Sequence, residues 1–399
     1  MNTLSPAKPA EVPHNERSAM AAIVGFAAIV PAVLMMAPAV ASQLAGQLHL
    51  GPIDIGNLFS AELGAMSLAT LPAFFWLPRV NWRSAAWLAV AVFIAANLLS
   101  ATTINYPLLL GLRFVSALAG GSLMILCLSA AATMRNPDRV YGLWVMGQLA
   151  LGAAGLVVMP ALFAHFGIAA CYVGLALLMA LCAPLVRCFP TGQQAETQQV
   201  AQSAGGRRWG HAALGILATL AFYISLSGVW TFIGQIAQQA GIDPQQSGNI
   251  FAIATLLGVA GAGSASLIGR RLPRAQLLLA GFGMMMAAML LLLNAPALAR
   301  FATAALLFKF SWTFILPFIL ATLADIDHSG KLMNATNLVI GGGLAIGPAL
   351  AGQLIAANHG SLHVLLLLAT LVAAISLALL LSLQQGRTTP PHAEHKEKP

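Results

Sequence analysis

The sequence predicts an all-α polytopic membrane protein: twelve transmembrane helices arranged as two pseudo-symmetric six-helix bundles. Three observations carry this. Of the 399 residues, 59% are hydrophobic and only 8% charged, where a soluble chain of this length holds about a quarter charged. The mean hydropathy is +0.84, and apolar runs of about 20 residues, each long enough to cross a bilayer as a helix, recur from end to end. The second half of the chain also repeats short stretches of the first in the same order.

The twelve runs are residues 21–43, 56–76, 85–104, 106–134, 140–163, 168–187, 210–235, 248–268, 276–293, 301–323, 332–355 and 363–382, numbered here as helices 1 to 12. Residues 1–17 form a polar tail with Pro6, Pro9 and Pro13 and no signal-peptide core. Helix 1 outruns signal-peptide length without a small-residue cleavage site, so it is expected to stay in the mature chain. Pro31 and Pro38 are expected to kink helix 1, and Pro317 helix 10. Short connections carry Gly, Pro, Asn and Asp. The longest interior connection, 189–209, is rich in Gln, Ala, Gly and Ser and reads as a flexible linker. The expected division is a tail at 1–17, a bundle at 18–188, the linker at 189–209, a second bundle at 210–384 and a tail at 385–399.

Charge placement gives the orientation. The net charge is +8 and the pI about 9.8, but 16 of the 19 Lys and Arg residues fall on one side of the predicted spans and only Arg300 on the other. The positive-inside rule then puts both termini and the linker in the cytoplasm. The basic balance is a topology signal with the lipid bilayer as its partner, and no nucleic acid is needed to explain it. The Ala-rich composition suggests a bacterial inner (plasma) membrane. A monomer is expected. Cys127, Cys171, Cys182 and Cys188 form no CxxC and read as inert thiols. The scattered histidines show no metal-ligand spacing, and no GxxxxGK[ST] motif is present, so neither a metal, a cofactor, ATP-driven transport nor enzyme chemistry is expected.

The repeat has an offset of about 192 to 196 residues. Gly56-Asn57-Leu58-Phe59 returns as Gly248-Asn249-Ile250-Phe251, and Leu77-Pro78-Arg79 as Leu272-Pro273-Arg274. Leu110-Gly111-Leu112-Arg113-Phe114 returns as Leu306-Leu307-Phe308-Lys309-Phe310, and Gly147-Gln148-Leu149-Ala150-Leu151-Gly152 as Gly342-Gly343-Leu344-Ala345-Ile346-Gly347. A duplicated six-helix unit with parallel halves is a secondary-transporter design.

These pieces also resemble the major facilitator superfamily over nearly the whole chain. The family's short basic loops after helices 2 and 8 have counterparts in WLPRVNWR, with Arg79 and Arg83, and in LIGRRLPR, with Gly269, Arg270 and Arg271. Neither has the acidic residue usual in that motif; Ser266 stands at its second-repeat position. The arginine followed by small residues in helix 4, Arg113 to Gly121, looks like the family pattern, and Gly347-Pro348 in helix 11 looks like its Gly-Pro motif. The resemblance implies alternating access, a small-molecule substrate bound between the halves, and helices 1, 4, 7 and 10 around the central cavity.

Arg113 and Lys309 hold corresponding places in helices 4 and 10. A charge at membrane depth is costly and is by default functional. Two cations on one cavity would attract an anion, with Arg113 gripping a carboxylate or phosphate and Lys309 acting as a point charge. Alternatively, both side chains snorkel toward the surface, or Arg113 only partners Glu62. Glu62 is the one acid clearly inside a span and lies near the depth of Arg113. It is either the proton-coupling site or an interfacial glutamate; Ala254 takes its place in the second repeat. Tyr223, Ser227, Trp230 and Thr231 share one face of helix 7, and Trp312 follows Lys309 by one turn. They read as substrate lining or as helix packing with an interfacial aromatic belt. The expected function is secondary transport, coupled to protons, of a small organic anion. The alternative is a proton-coupled exporter of hydrophobic drugs or metabolites, and a third class is a membrane sensor that keeps the fold without transport.

Overall fold

Caps, more than apolar runs, decide where the helices begin. The computed structural model describes residues 16–190, 209–269, 271–326 and 331–385. Helix 3 is Trp82–Thr102, with the Asn81 side chain accepting from the Arg83 amide at 2.9 Å. Asn105 caps helix 4, Tyr106–Ala132; Asn136 caps helix 5, Pro137–Phe166; Asp243 caps helix 8, Pro244–Ile268. In the last three a proline sits in the first turn, where its missing N–H has no partner to lose. The expected starts at 85, 140 and 248 are therefore three or four residues late, because a polar capping turn does not register as apolar sequence.

Helix 2 is Pro52–Leu68 followed by Thr70–Trp76. Helix 6, Ala169–Cys182, ends in a 3₁₀ turn at Ala183–Cys188. Helices 7 and 9 are Trp209–Gln239 and Arg274–Leu291. Helices 10 and 11, Leu298–Ala324 and Lys331–Ala357, run on through Pro317 and Pro348, and helix 12 is His363–Gln385. Eleven of these are long and apolar enough to cross a membrane. Helix 1, the expected twelfth, is broken into Glu16–Ile29, Ala32–Met35 and Ala37–Leu48, none of them alone as long as a span. Its breaks fall at Pro31 and just before Pro38, where proline removes a backbone donor. No strand occurs among the described residues. Arg270, most of the expected linker and most of both expected tails lie outside them.

The packing order repeats. Helix 1 packs on 5, 2 on 4, and 3 on 4 and 6; correspondingly, helix 7 packs on 11, 8 on 10, and 9 on 10 and 12. The two sets meet along three seams: helix 2 with 11, helix 5 with 8, and the last piece of helix 1 with helix 7.

Glycines set how closely the seams approach. A Cβ on Gly56 would collide with the carbonyl of Pro348, and one on Gly248 with the carbonyl of Leu156. The two glycines are repeat-related, 192 positions apart; the carbonyls they press on are not exact equivalents, since the helix 5–11 repeat runs at an offset of 195 and pairs Leu156 with Ala351, about one turn from Pro348. The pseudo-twofold seen in sequence is thus echoed, one turn out of register, in the seam contacts. Most seam contacts of this kind lie toward the side bearing the turns at residues 49–51, 167 and 240–243, here the far side; the helix 2–11 seam also crosses the middle. From Gly352 against Pro52, the helix 2–11 seam extends to Gly341 against Ser67. The Ser60 hydroxyl donates to the Ala345 carbonyl and accepts from the Ala349 amide within it. Past Ser67 the chain turns outward, and Leu68, Leu71, Phe74 and Phe75 are exposed on the linker side. The halves are shut against each other at the far side.

Candidate functional site

Arg113 is almost completely buried and belongs to the first half. Its Nη2 meets Glu62 Oε1 at 2.5 Å, joining helix 4 to helix 2. Its Nη1 donates to Asn97 Oδ1 on helix 3 at 2.8 Å, and the Asn97 amide nitrogen donates onward to Ser116 Oγ at 2.8 Å. The guanidinium carbon lies 4.7 Å from the ring centroid of Tyr172 on helix 6. Four helices therefore hold one cation, and its charge is balanced by Glu62. Such a pair offsets the desolvation of both members only when further hydrogen bonds support it; Asn97 supplies one, while Arg113 Nε is buried without a partner among the described residues. A cavity of about 10 Å³ lies between the pair and the broken part of helix 1, lined by Pro31, Leu34, Glu62 and Arg113 among others. That is about the volume of a single water site.

Lys309 is equally buried but differently held. Its Nζ lies 3.8 Å from the ring centroid of Trp230 and 4.1 Å from that of Trp312. Among the described residues no carboxylate lies within ion-pairing distance of it. Ala254, buried in the repeat position of Glu62, supplies no charge. Two indole faces attract an ammonium by about 2 kcal/mol when desolvated, less than the several kcal/mol its dehydration costs. Trp230 is fixed from its other end, donating its indole N–H to the Leu34 carbonyl of helix 1 at 2.9 Å. Phe251 and Phe308 pack against it.

The remaining residues of the helix 7 face are buried and turned to backbone. Ser227 Oγ donates to the Gly343 carbonyl at 3.2 Å, and Thr231 Oγ1 to the Ser227 carbonyl at 2.8 Å. Tyr223 packs its Cβ over Gly343. The structure brings Trp230 and Trp312 together with Lys309, and Arg113 with Glu62; Leu34 touches both groups, lining the cavity at the first and accepting from Trp230 at the second. Of the loop residues, Arg79 donates to its own helix at the Phe75 carbonyl, and Arg83 Nε to the Phe189 carbonyl at 2.7 Å. Gly269 caps helix 8, and the Arg271 amide closes a turn on Ile268. The ion pair in this region is Arg274 with Asp325, at 2.6 Å. Asn97, Tyr172 and Asp325 were missed from sequence. Asn97 had a signal, as a lone amide inside an apolar run.

A second cavity, of about 180 Å³, opens on the far side between helices 1, 5, 7 and 8. Ser42, Gln43, Gln238 and Ser247 line it with Phe163 and Phe251, and it holds no charge.

Two repeat-related helical bundles, shut together at one end, with buried cations at matching places on helices 4 and 10, define a membrane transporter of the parallel-repeat kind. The model of the Major Facilitator Superfamily matches residues 18–326. The chain belongs to that family. Among solved structures it is similar to the nucleoside transporter NupG, at 10% identity and a TM-score of 0.71 over 94% of this chain and 100% of that one. It is similar also to a bacterial homolog of the human lysosomal transporter Spinster in an inward-facing, occupied conformation. There the identity is 12% and the TM-score 0.72, over 93% of this chain and 97% of that one. The unoccupied inward-facing form of that homolog gives 13% and 0.68, over 96% and 100%. At these identities the likeness is one of fold. No curated protein sequence matches the chain.

Proposed function

We propose that this transporter moves a small organic anion by alternating access, coupled to protons through Glu62, as a monomer in the inner (plasma) membrane with both termini cytoplasmic. The observation that carries the anion reading is Lys309: a buried ammonium with no acid in ion-pairing range among the described residues. An anion entering the seam supplies the counter-charge that the fold withholds. Proton coupling is supported by the 2.5 Å pair of Glu62 and Arg113 beside a water-sized cavity. A proton on Glu62 removes the counter-charge of Arg113 and raises the positive charge of the site by one, so proton and anion favour each other's binding. With the linker side cytoplasmic by the positive-inside rule, the shut far side faces outward. We assign Arg79, Gly269 and Arg271 at the cytoplasmic ends of helices 2 and 8, Arg83 in the first turn of helix 3, and Arg270, which lies outside the described residues, to gating of the inner side.

A second reading, export of hydrophobic drugs or metabolites, is favoured by the aromatic walls around Lys309 and by the engagement of Arg113 with Glu62. Thermal unfolding of the detergent-purified protein separates the two. Ligands that prefer the folded state raise the apparent melting temperature. The anion reading expects stabilisation by small carboxylates or phosphates that disappears in Lys309→Gln. Stabilisation by hydrophobic cations alone would transfer the assignment to the exporter.

A further inference from the structure

The walls and the charge count of the seam define its ligand more narrowly. We infer that the cluster of Lys309, Trp230 and Trp312 binds a singly charged carboxylate carried on an aromatic body. This rests on the anion reading above and deepens it.

Charge comes first. The buried acidic and basic side chains of helices 2, 4 and 10 are Glu62, Arg113 and Lys309. With Glu62 paired to Arg113, one positive charge is left, on Lys309. One charge is neutralised by a monoanion. While Glu62 stays ionised and paired to Arg113, the state in which the ligand first binds, a dianion would bring a second negative charge into a low-dielectric seam with no cation to meet it.

The walls come second. The two surfaces against the ammonium are indole faces, backed by Phe308 and Phe251. The hydroxyls beside Trp230 on helix 7, Ser227 and Thr231, already donate to backbone carbonyls. A polyhydroxylated ligand would find few free partners, whereas a flat ring finds faces to stack on. The two parts of such a ligand divide the site. Its carboxylate replaces an indole face as the partner of Nζ, gaining a charge-assisted contact. The ring takes up the indole surface so released. Trp312 keeps 8% of its surface accessible while Trp230 keeps none. Trp230 is also tied to Leu34, so Trp312 is the wall that yields to the ligand.

Isothermal titration of the detergent-purified full chain tests this with benzoate, cyclohexanecarboxylate, phthalate and benzyl alcohol. Benzoate is expected to bind about threefold to tenfold tighter than cyclohexanecarboxylate, the range that ring stacking supplies. Phthalate should bind more weakly than benzoate, and benzyl alcohol should give no heat. Lys309→Gln should lose benzoate, and Lys309→Arg should retain it. Trp312→Leu should keep carboxylate binding but bind benzoate and cyclohexanecarboxylate equally, with Trp312→Phe restoring the preference. Equal binding of the two rings by the wild type, still lost in Lys309→Gln, would overturn the aromatic inference and leave the anion reading standing. Tighter binding of phthalate than benzoate would overturn the charge count. If no carboxylate binds here and hydrophobic cations alone stabilise the protein in the thermal unfolding assay, both the inference and the anion reading fall.

Discussion

Removing Glu62 should damage the fold more than removing Glu62 and Arg113 together. Arg113 is 1% exposed and Glu62 8%, and their 2.5 Å contact is the one ion pair that the described residues give Arg113. In Glu62→Leu the guanidinium stays buried with Asn97 and the Tyr172 ring but without a counter-charge, and this should cost about 3–5 kcal/mol. In Arg113→Met the carboxyl is left beside the small cavity, where it can take a proton, so the cost should be roughly 2–3 kcal/mol. The double variant removes both charges. It leaves the Asn97 carbonyl oxygen short of one donor, about 1–2 kcal/mol. The coupling energy should therefore be on the order of 3 kcal/mol or more. Reversible unfolding in mixed micelles, followed by tryptophan fluorescence, supplies all three values. Additivity of the two single variants within about 0.5 kcal/mol would refute the reasoning, because residues that share a buried pair cannot be independent.

Three other outcomes follow from the same geometry. Asn97→Leu takes the acceptor from Arg113 Nη1 and should cost roughly 1–3 kcal/mol in the same unfolding assay, less than Glu62→Leu. Gly56→Val and Gly248→Val each drive a side chain into a seam carbonyl, so each should hold the far side open; alkylation of a Ser42→Cys reporter in the far-side cavity should rise roughly tenfold in both, since each glycine meets a carbonyl of the other half at the same close approach. Trp230→Phe deletes the bond to the Leu34 carbonyl, and at about 1 kcal/mol this should raise the same labelling rate about fivefold.

What was legible in the sequence and what was not divide along physical lines. Long apolar runs and the order of the repeat are properties of the chain itself, so the helix count and the pairing of Gly56 with Gly248 as equivalent positions could be read directly. Depth along a helix is also arithmetic on sequence, and Glu62 and Arg113 could be placed at one level before their contact was seen. The break of helix 1 was visible as Pro31 and Pro38. Rotation about a helix axis was not readable, because helices that are apolar all round carry no stripe to say which face meets which neighbour. Hence the Ser227 hydroxyl, which could have faced a cavity, is directed to Gly343, and Trp230, close enough to the surface for an interfacial belt, is fully buried against Lys309 and Leu34. The same blindness hid Asn97 and Tyr172. Each is one polar group on an apolar helix, and only the approach of helices 3 and 6 to helix 4 gives it a partner.

The central claim, that an anion held by Lys309 moves together with a proton at Glu62, is tested most directly in proteoliposomes. The measurement is uptake of radiolabelled benzoate with and without an imposed inward proton gradient. Wild-type protein is predicted to accumulate benzoate above the protein-free control only when the gradient is present. Lys309→Gln should transport none, and Glu62→Gln should exchange benzoate across the membrane at a rate indifferent to the gradient. Benzoate uptake that matches the protein-free control under every gradient, or wild-type rates in Lys309→Gln, would contradict the account.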